Sequence, residues 1–295
     1  MEAWITFTLL AVVMQSVRTA GQKQITQKIS VQAATLVRFL FGIKFAALYF
    51  FLMMWVYKPI HFELNSQFIF SGALASISQV LATVFLIKAL TLKNFTIGTA
   101  LAKSEALLTA ILGTTFFSAY LNLMGYFSVF VGVCGVLVAS NWRVTLKDLS
   151  DNQSIRYGLG AGLGFALASL WIRDASLSLE IPRIVSAAAV LFYMIVLQSL
   201  ICLVWISVKE PEQFTLIRNN LGACLFIGFT GVAGSIGWFT AMSLQNAALV
   251  RTLGQVEFIV SLLITYLYFG EKISGKEYLG ITLIAVSVLL LIGAT

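Results

Sequence analysis

The chain has 295 residues, of which 59% are hydrophobic and 11% are charged. A soluble domain carries about 25% charged residues, so this composition excludes water as the main solvent. The net charge of +7 comes from 19 basic residues scattered without a dense run or aromatic interleaving, and that excludes a nucleic-acid interface. Cys134, Cys202 and Cys224 fall in apolar stretches with no CxxC or Cys/His ligand spacing, so neither a metal site nor a disulfide framework is expected.

Taken in chain order, apolar runs bounded by polar punctuation predict ten transmembrane helices. They cover 4–24, 31–57, 66–90, 94–117 and 121–140, then 156–175, 183–207, 220–244, 246–269 and 276–294. Each is close to the roughly 20 residues that a bilayer-spanning helix needs. The first run lacks a basic leader and a small-residue cleavage site, so it is expected to be a retained helix. Pro59, Pro182 and Pro211 all lie in connections, where a missing amide does no harm. Glycines crowd the helix interiors instead, as in Gly158-Leu-Gly-Ala-Gly-Leu-Gly164. A nucleotide-binding loop needs a preceding strand, so this run reads as close helix packing.

The most polar connection, 141–155, falls near the midpoint. At one constant offset Ala89 pairs with Ala241, Asn94 with Asn246, Glu105 with Glu257 and Phe117 with Phe269. At an offset three residues longer, Arg18 meets Arg173 and Gly125 meets Gly280. Residues 1–140 therefore read as one five-helix repeat, 141–155 as a linker and 156–295 as the second repeat. An odd helix number per repeat makes the second copy enter from the opposite side. The predicted fold is an all-α integral membrane protein, an inverted repeat of two five-helix units, which is a common plan of secondary transporters.

The segment from Phe269-Gly-Glu-Lys through Gly280 to the last apolar run resembles the end of an EamA-type domain of the drug/metabolite transporter superfamily. The resemblance extends over the chain through the helix count and the duplication. It implies a ten-helix carrier with a central cavity, often an exporter of amino acids or other metabolites. Two departures stand out. Many members have proline where Phe258 follows Glu257 and where Ala106 follows Glu105, and Ser118-Ala119 stands where the second half has Gly270-Glu271.

A charge at the bilayer centre costs roughly 2.5 to 3.5 kcal/mol on insertion scales, so charges there are expected to be paired or functional. Lys44, Lys103, Glu105 and Glu257 lie roughly 13 to 20 Å inside their segments at 1.5 Å per residue. Arg38 and Arg251 lie nearer the ends, where snorkelling to the headgroups is an alternative. Glu105 and Glu257 hold equivalent places and are expected to approach one central region, either as a substrate or coupling site or as packing hydrogen-bond acceptors. Lys103 lies on the wrong face to pair with Glu105, so its partner is expected on another helix. Arg251 and Gln255, four apart, are expected to share a face. The cations outnumber the two glutamates, which points to a solute with a carboxylate or phosphate. Gln15, Gln79 and Gln198 are expected either to contact it or to bond between helices, and Trp238 either to wall the cavity or to pack.

The expected function is alternating-access export of a small polar metabolite, an amino acid or organic anion, by a monomer in the cell (inner) membrane. Protons are the candidate coupling ion, and no cofactor is expected. Export of organic cations by the same fold is the first alternative, and a non-transporting scaffold or receptor the second. An enzyme is not expected, because the single histidine, His61, lies in a short connection. Basic residues gather in the connections after the odd-numbered segments, against Lys58 and Arg183 on the other side. That bias places the termini away from the cytoplasm, whereas the resembled family usually keeps them inside.

Overall fold

A computed structural model of the chain describes residues 2–59, 63–92, 101–140, 153–260 and 274–294. His61, most of the polar linker, the start of the fourth segment, the far half of the ninth and the Gly270-Glu271 turn lie outside the described residues. Regular structure among those described is entirely helical. Helices α1 (Ala3–Ile25), α2 (Val31–Leu40), α3 (Ile43–Tyr57), α4 (Ser66–Thr91), α5 (Glu105–Phe116) and α6 (Leu123–Ala139) form the first half. The second half holds α7 (Gln153–Leu177), α8 (Arg183–Lys209), α9 (Gln213–Arg218), α10 (Leu221–Leu244), α11 (Ala247–Leu253) and α12 (Gly275–Ala294). Among the described residues seven stretches are long and apolar enough to cross a bilayer, with α2 and α3 together forming one of them, and α5 and α6 are shorter apolar helices.

Local chemistry sets several helix ends. Asn65 Oδ1 accepts from the Phe68 amide and Asn122 Oδ1 from the Gly125 amide, both at 2.7 Å, so each starts a helix by satisfying an otherwise unpaired donor. Lys58 adopts a left-handed conformation (φ 42°) just before Pro59, and the two together stop α3.

The large apolar side chains point outward, among them Phe51, Trp55, Phe130 and Leu289, all more than half exposed. Small and hydroxylic residues point inward, as with Ala161, Gly162, Ala166 and Ser169 on α7. A soluble core has the reverse arrangement. Lipid solvates the outer surface here, and the interior is held by close van der Waals packing of small residues.

The main packing seams join α1 to α10, α4 to α7 and α6 to α12. Two glycines show how close these approaches are. A Cβ built on Gly237 would lie 2.4 Å from Phe7 O of α1, and one on Gly280 would lie 2.3 Å from Ala139 Cβ of α6. Either addition forces the seam apart. The first helix of each half thus packs on the third segment of the other, and the last helices of the two halves pack on each other. Exchanging the halves maps this set of seams onto itself.

The segments predicted as continuous at 94–117 and 246–269 are both broken. The chain is helical at 101–102, turns at Lys103-Ser104 and resumes as α5 at Glu105. It turns again at Gly254-Gln255 after α11 and resumes helix over 256–260. No proline causes either break. Short backbone bonds carry the chain through, with Ser104 N to Leu101 O at 3.0 Å and Gln255 N to Thr252 O at 3.1 Å. Irregular backbone at membrane depth is tolerated where protein rather than lipid surrounds it. Gly162 gives the first break room, since a Cβ there would sit 2.9 Å from Ser104 Oγ and 3.2 Å from Ala102 O. The second segment is likewise divided, at Phe41-Gly42. Helix α9 occupies what reads in the sequence as a plain connection.

Candidate functional site

The two breaks place a cation in or just before, and a glutamate just after, each interruption. Lys103 lies in the first and Glu105 opens α5; Arg251 lies in the last turn of α11 and Glu257 in the first turn beyond the second. A carboxylate in the first turn and a cation in the last turn each complement the helix dipole. The ion pairs then cross between the halves. Lys103 Nζ pairs with Glu257 Oε2, and Arg251 Nη1 pairs with Glu105 Oε1 at 3.4 Å. Each glutamate is neutralised by the cation of the other repeat.

The surrounding side chains bind these pairs into one network. Gln15 of α1 donates from Nε2 to Glu257 Oε2 at 2.8 Å, and its Oε1 accepts from Trp238 Nε1 at 2.9 Å. The Trp238 ring lies under the Arg251 guanidinium, 4.5 Å from centroid to Cζ, in the geometry of a cation–π contact. Arg251 Nε donates to Ser169 Oγ of α7 at 2.7 Å. The network therefore runs from Lys103 through Glu257, Gln15 and Trp238 to Arg251 and Glu105. It draws on α1, α5, α7, α10 and both breaks.

Burial differs along this line. The Arg251 and Glu105 side chains are 4% and 9% exposed, while Lys103 and Glu257 are 18% and 11% exposed. Uncompensated charge at such depth costs several kcal/mol, so removing Arg251 or Glu105 leaves its mate a large penalty, whereas Glu257 keeps the Gln15 hydrogen bond when Lys103 is removed. The hydrogen bonds from Gln15 to Glu257 and from Arg251 to Ser169 lower the cost of holding these pairs in the apolar interior.

A second group lies beside the first. Arg38 of α2 donates from Nη1 to Thr83 Oγ1 at 2.8 Å, and Thr83 donates in turn to Gln79 O at 2.7 Å. The Gln79 side chain accepts from Gln198 Nε2 of α8 at 2.8 Å. Arg18 of α1 is 2% exposed, and its Nε has no hydrogen-bond partner among the described residues.

Of the residues singled out from sequence, Glu105, Glu257, Lys103, Arg251 and Trp238 come together, and Gln79 joins the adjacent Arg38 group. Lys44 does not. It is exposed on α3 with its ammonium 5.0 Å from the Phe45 ring centroid, because its place on the helix turns it outward at a depth that sequence position alone makes look central. Gln255 is corrected too. The break after α11 removes the shared face with Arg251, and Gln255 is buried against α6 and α12, where a Cβ on Gly132 would lie 2.2 Å from its Oε1 and 2.7 Å from Ser287 Oγ. Arg38 and Arg251 do not snorkel; each is 4% exposed. Arg18 and Ser169 went unrecognised as site residues in the sequence. Arg18 stands about two turns inside its segment, a signal that was available, whereas one serine among many carries none. Gln15, Gln79 and Gln198 all bond between helices.

The EamA-like transporter family matches residues 2–141 and again 154–293. No curated protein matches the chain. A solved crystal structure superposes with a TM-score of 0.73 over 99% of this chain and 97% of the other, at 13% identity, a likeness that concerns the fold. With both halves matched, the chain is a multi-pass membrane protein belonging to the EamA-like transporter family, and its partners are a small-molecule solute and the lipid bilayer.

Proposed function

We propose that this protein exports a small polar metabolite, an amino acid or organic anion, across the cell (inner) membrane by alternating access. It acts as a monomer of ten transmembrane helices, with the two five-helix halves inverted relative to one another. The exchange-symmetric seams support a two-fold relation between the halves, and an odd number of helices in each half makes that relation an inversion. The observation that carries the reading is the crossed pairing of Lys103 with Glu257 and Arg251 with Glu105 at two helix breaks. Discontinuous helices whose ends meet near the midplane are where secondary transporters hold solute and coupling ion. Opening the cavity to one side requires the halves to move against each other, and crossed pairs are the contacts that such rocking makes and breaks.

Lys103 and Glu257, the more accessible pair, open to admit solute, and a proton on Glu257 replaces the ammonium as its neutralising partner. Reconstituted protein in liposomes tests this. The wild type is expected to move amino acids or organic anions with a rate that depends on the pH gradient, and a Glu105→Gln, Glu257→Gln double variant to lose that dependence. A double variant that transports at the native rate with native pH dependence would remove both residues from the mechanism. A wild type that binds solutes without moving them would make the protein a receptor.

A further inference from the structure

Arg18 and Arg38 bracket Gly231 of α10. A Cβ on that glycine would lie 3.2 Å from Arg38 Cγ and 3.6 Å from Arg18 Cδ, so both stems come within contact range of the same methyl-sized space. Both side chains are buried, at 2% and 4% exposure. They repel each other and both are repelled by Arg251; the acid acting on Arg18 is Glu257, through space and without an ion pair. Glu257 is already held by Lys103 and Gln15. The surplus of positive charge expected from sequence is therefore present, carried by Arg18 and Arg38 rather than by Lys44.

The repeat mate of Arg18 shows what a settled arginine looks like in this fold. Arg173 donates from Nη1 to Met242 O at 2.7 Å and to Gln245 O, capping the end of α10. Arg18 Nε, by contrast, is unpaired among the described residues. Arg38 spends one nitrogen on Thr83. Two buried arginines whose stems converge on one glycine, one with its Nε unpaired among the described residues, are a costly arrangement that an oxyanion with several acceptor oxygens relieves.

We infer that Arg18 and Arg38 form an anion-binding site, separate from the crossed ion pairs and beside them, that takes the carboxylate or phosphate end of the transported solute. This rests on the reading of the protein as a solute carrier and adds to it which residues grip the cargo and by which end. Planar guanidiniums suit the flat fork of a carboxylate and the faces of a phosphate alike. The missing side chain at Gly231 is what lets the two stems converge on α10. The neighbouring Gln79–Gln198 amide pair extends the same polar region across α4 and α8.

The test uses the detergent-purified full chain in a chloride-free buffer, titrated separately with inorganic phosphate, succinate and tetraethylammonium while the thermal midpoint is followed. Ligand that binds only the folded state raises that midpoint. Phosphate, succinate or both are expected to raise it saturably, and tetraethylammonium to leave it unchanged; the stronger of the two anions identifies the headgroup. Arg18→Gln is expected to abolish the anion-induced rise while leaving the ligand-free midpoint level or higher, because a repelling charge has gone. Arg38→Lys keeps charge and fold, and is expected to weaken the anion by roughly ten-fold, the loss of one charge-assisted hydrogen bond. Ser128→Ala, a buried change on α6, which packs on α11 and α12 rather than on α1 or α2, is expected to keep the full response.

No anion response in the wild type overturns the site, as does an Arg18→Gln protein that keeps the response. An Arg18→Gln protein too unstable to titrate also counts against it, since that outcome assigns Arg18 a structural role. Failure here leaves proteoliposome flux intact, whereas failure of the carrier reading removes flux while anion binding survives.

Discussion

The two helix breaks carry the same plan with different chemistry. At the first, a flexible lysine precedes the glutamate; at the second, an arginine does. Arg251 is fastened from three directions, by Ser169 at 2.7 Å, by the Trp238 face at 4.5 Å and by Glu105 at 3.4 Å. Among the described residues Lys103 bonds to Glu257 alone, and more of its side chain is open. A guanidinium offers several fixed donors and an ammonium is a compact point charge on a loose stem. One crossed pair is thus built as an anchor and the other as a latch, and the fold's symmetry does not extend to the strength of its central contacts.

The comparison breaks most visibly at the anchor. Arg251→Leu leaves Glu105 buried without its cation, and is expected to cost about 3 to 5 kcal/mol. Most of the protein should then fail to elute as a single species in detergent. Adding Glu105→Gln should recover much of the loss, and no recovery would mean that Arg251 matters through Trp238 and Ser169 instead.

Lys103→Met should do the opposite. Exposure discounts the stabilising value of its pair, so the folded yield is expected to hold while initial flux falls by roughly ten-fold or more, about 1.4 kcal/mol in the barrier. Equal losses of stability and flux would erase the distinction between anchor and latch. Between the two lies Gln15→Leu, which removes a donor from Glu257 and the acceptor of Trp238 Nε1. A destabilisation of about 1 to 3 kcal/mol is expected, read as a lower thermal midpoint, and an unchanged midpoint would show the two ends of the network to be independent.

The smallest effect concerns the halves away from the site. Ser118 has φ 49°, a left-handed conformation in which a side chain is disfavoured, and the Ala119 amide closes the turn on Gly113 O at 2.9 Å. Its repeat mate in sequence is Gly270. Ser118→Gly is expected to stabilise the protein by up to about 1 kcal/mol, seen as a small rise in midpoint with unchanged flux. A fall would mean that the serine hydroxyl matters more than the backbone strain.

How much of the site was legible follows from what each residue's role depends on. Glu105 and Glu257 could be found because a duplicated sequence repeats equivalent positions at a constant offset, and a carboxylate deep in an apolar run is conspicuous by cost alone. That Lys103 needs a partner on another element also followed from local geometry. Lys44 misled because depth says nothing about direction; each residue advances a helix by about 100°, and only the neighbours decide which bearing is inward. Gln255 misled because its face was projected through a break.

Composition, run length and the internal offset by themselves determined that this is a polytopic membrane protein made of two related halves with its charges concentrated near equivalent points. Those properties are set by solvation and by local periodicity, which a sequence states directly. Only the tertiary structure decided that the ion pairs cross between the halves, that the helices carrying them are broken and that Arg18 and Arg38 meet beside Gly231. Such facts depend on the rotation and crossing of helices far apart in the chain, and small residues such as Gly162, Gly231 and Gly237 fix them by how closely they let backbones approach.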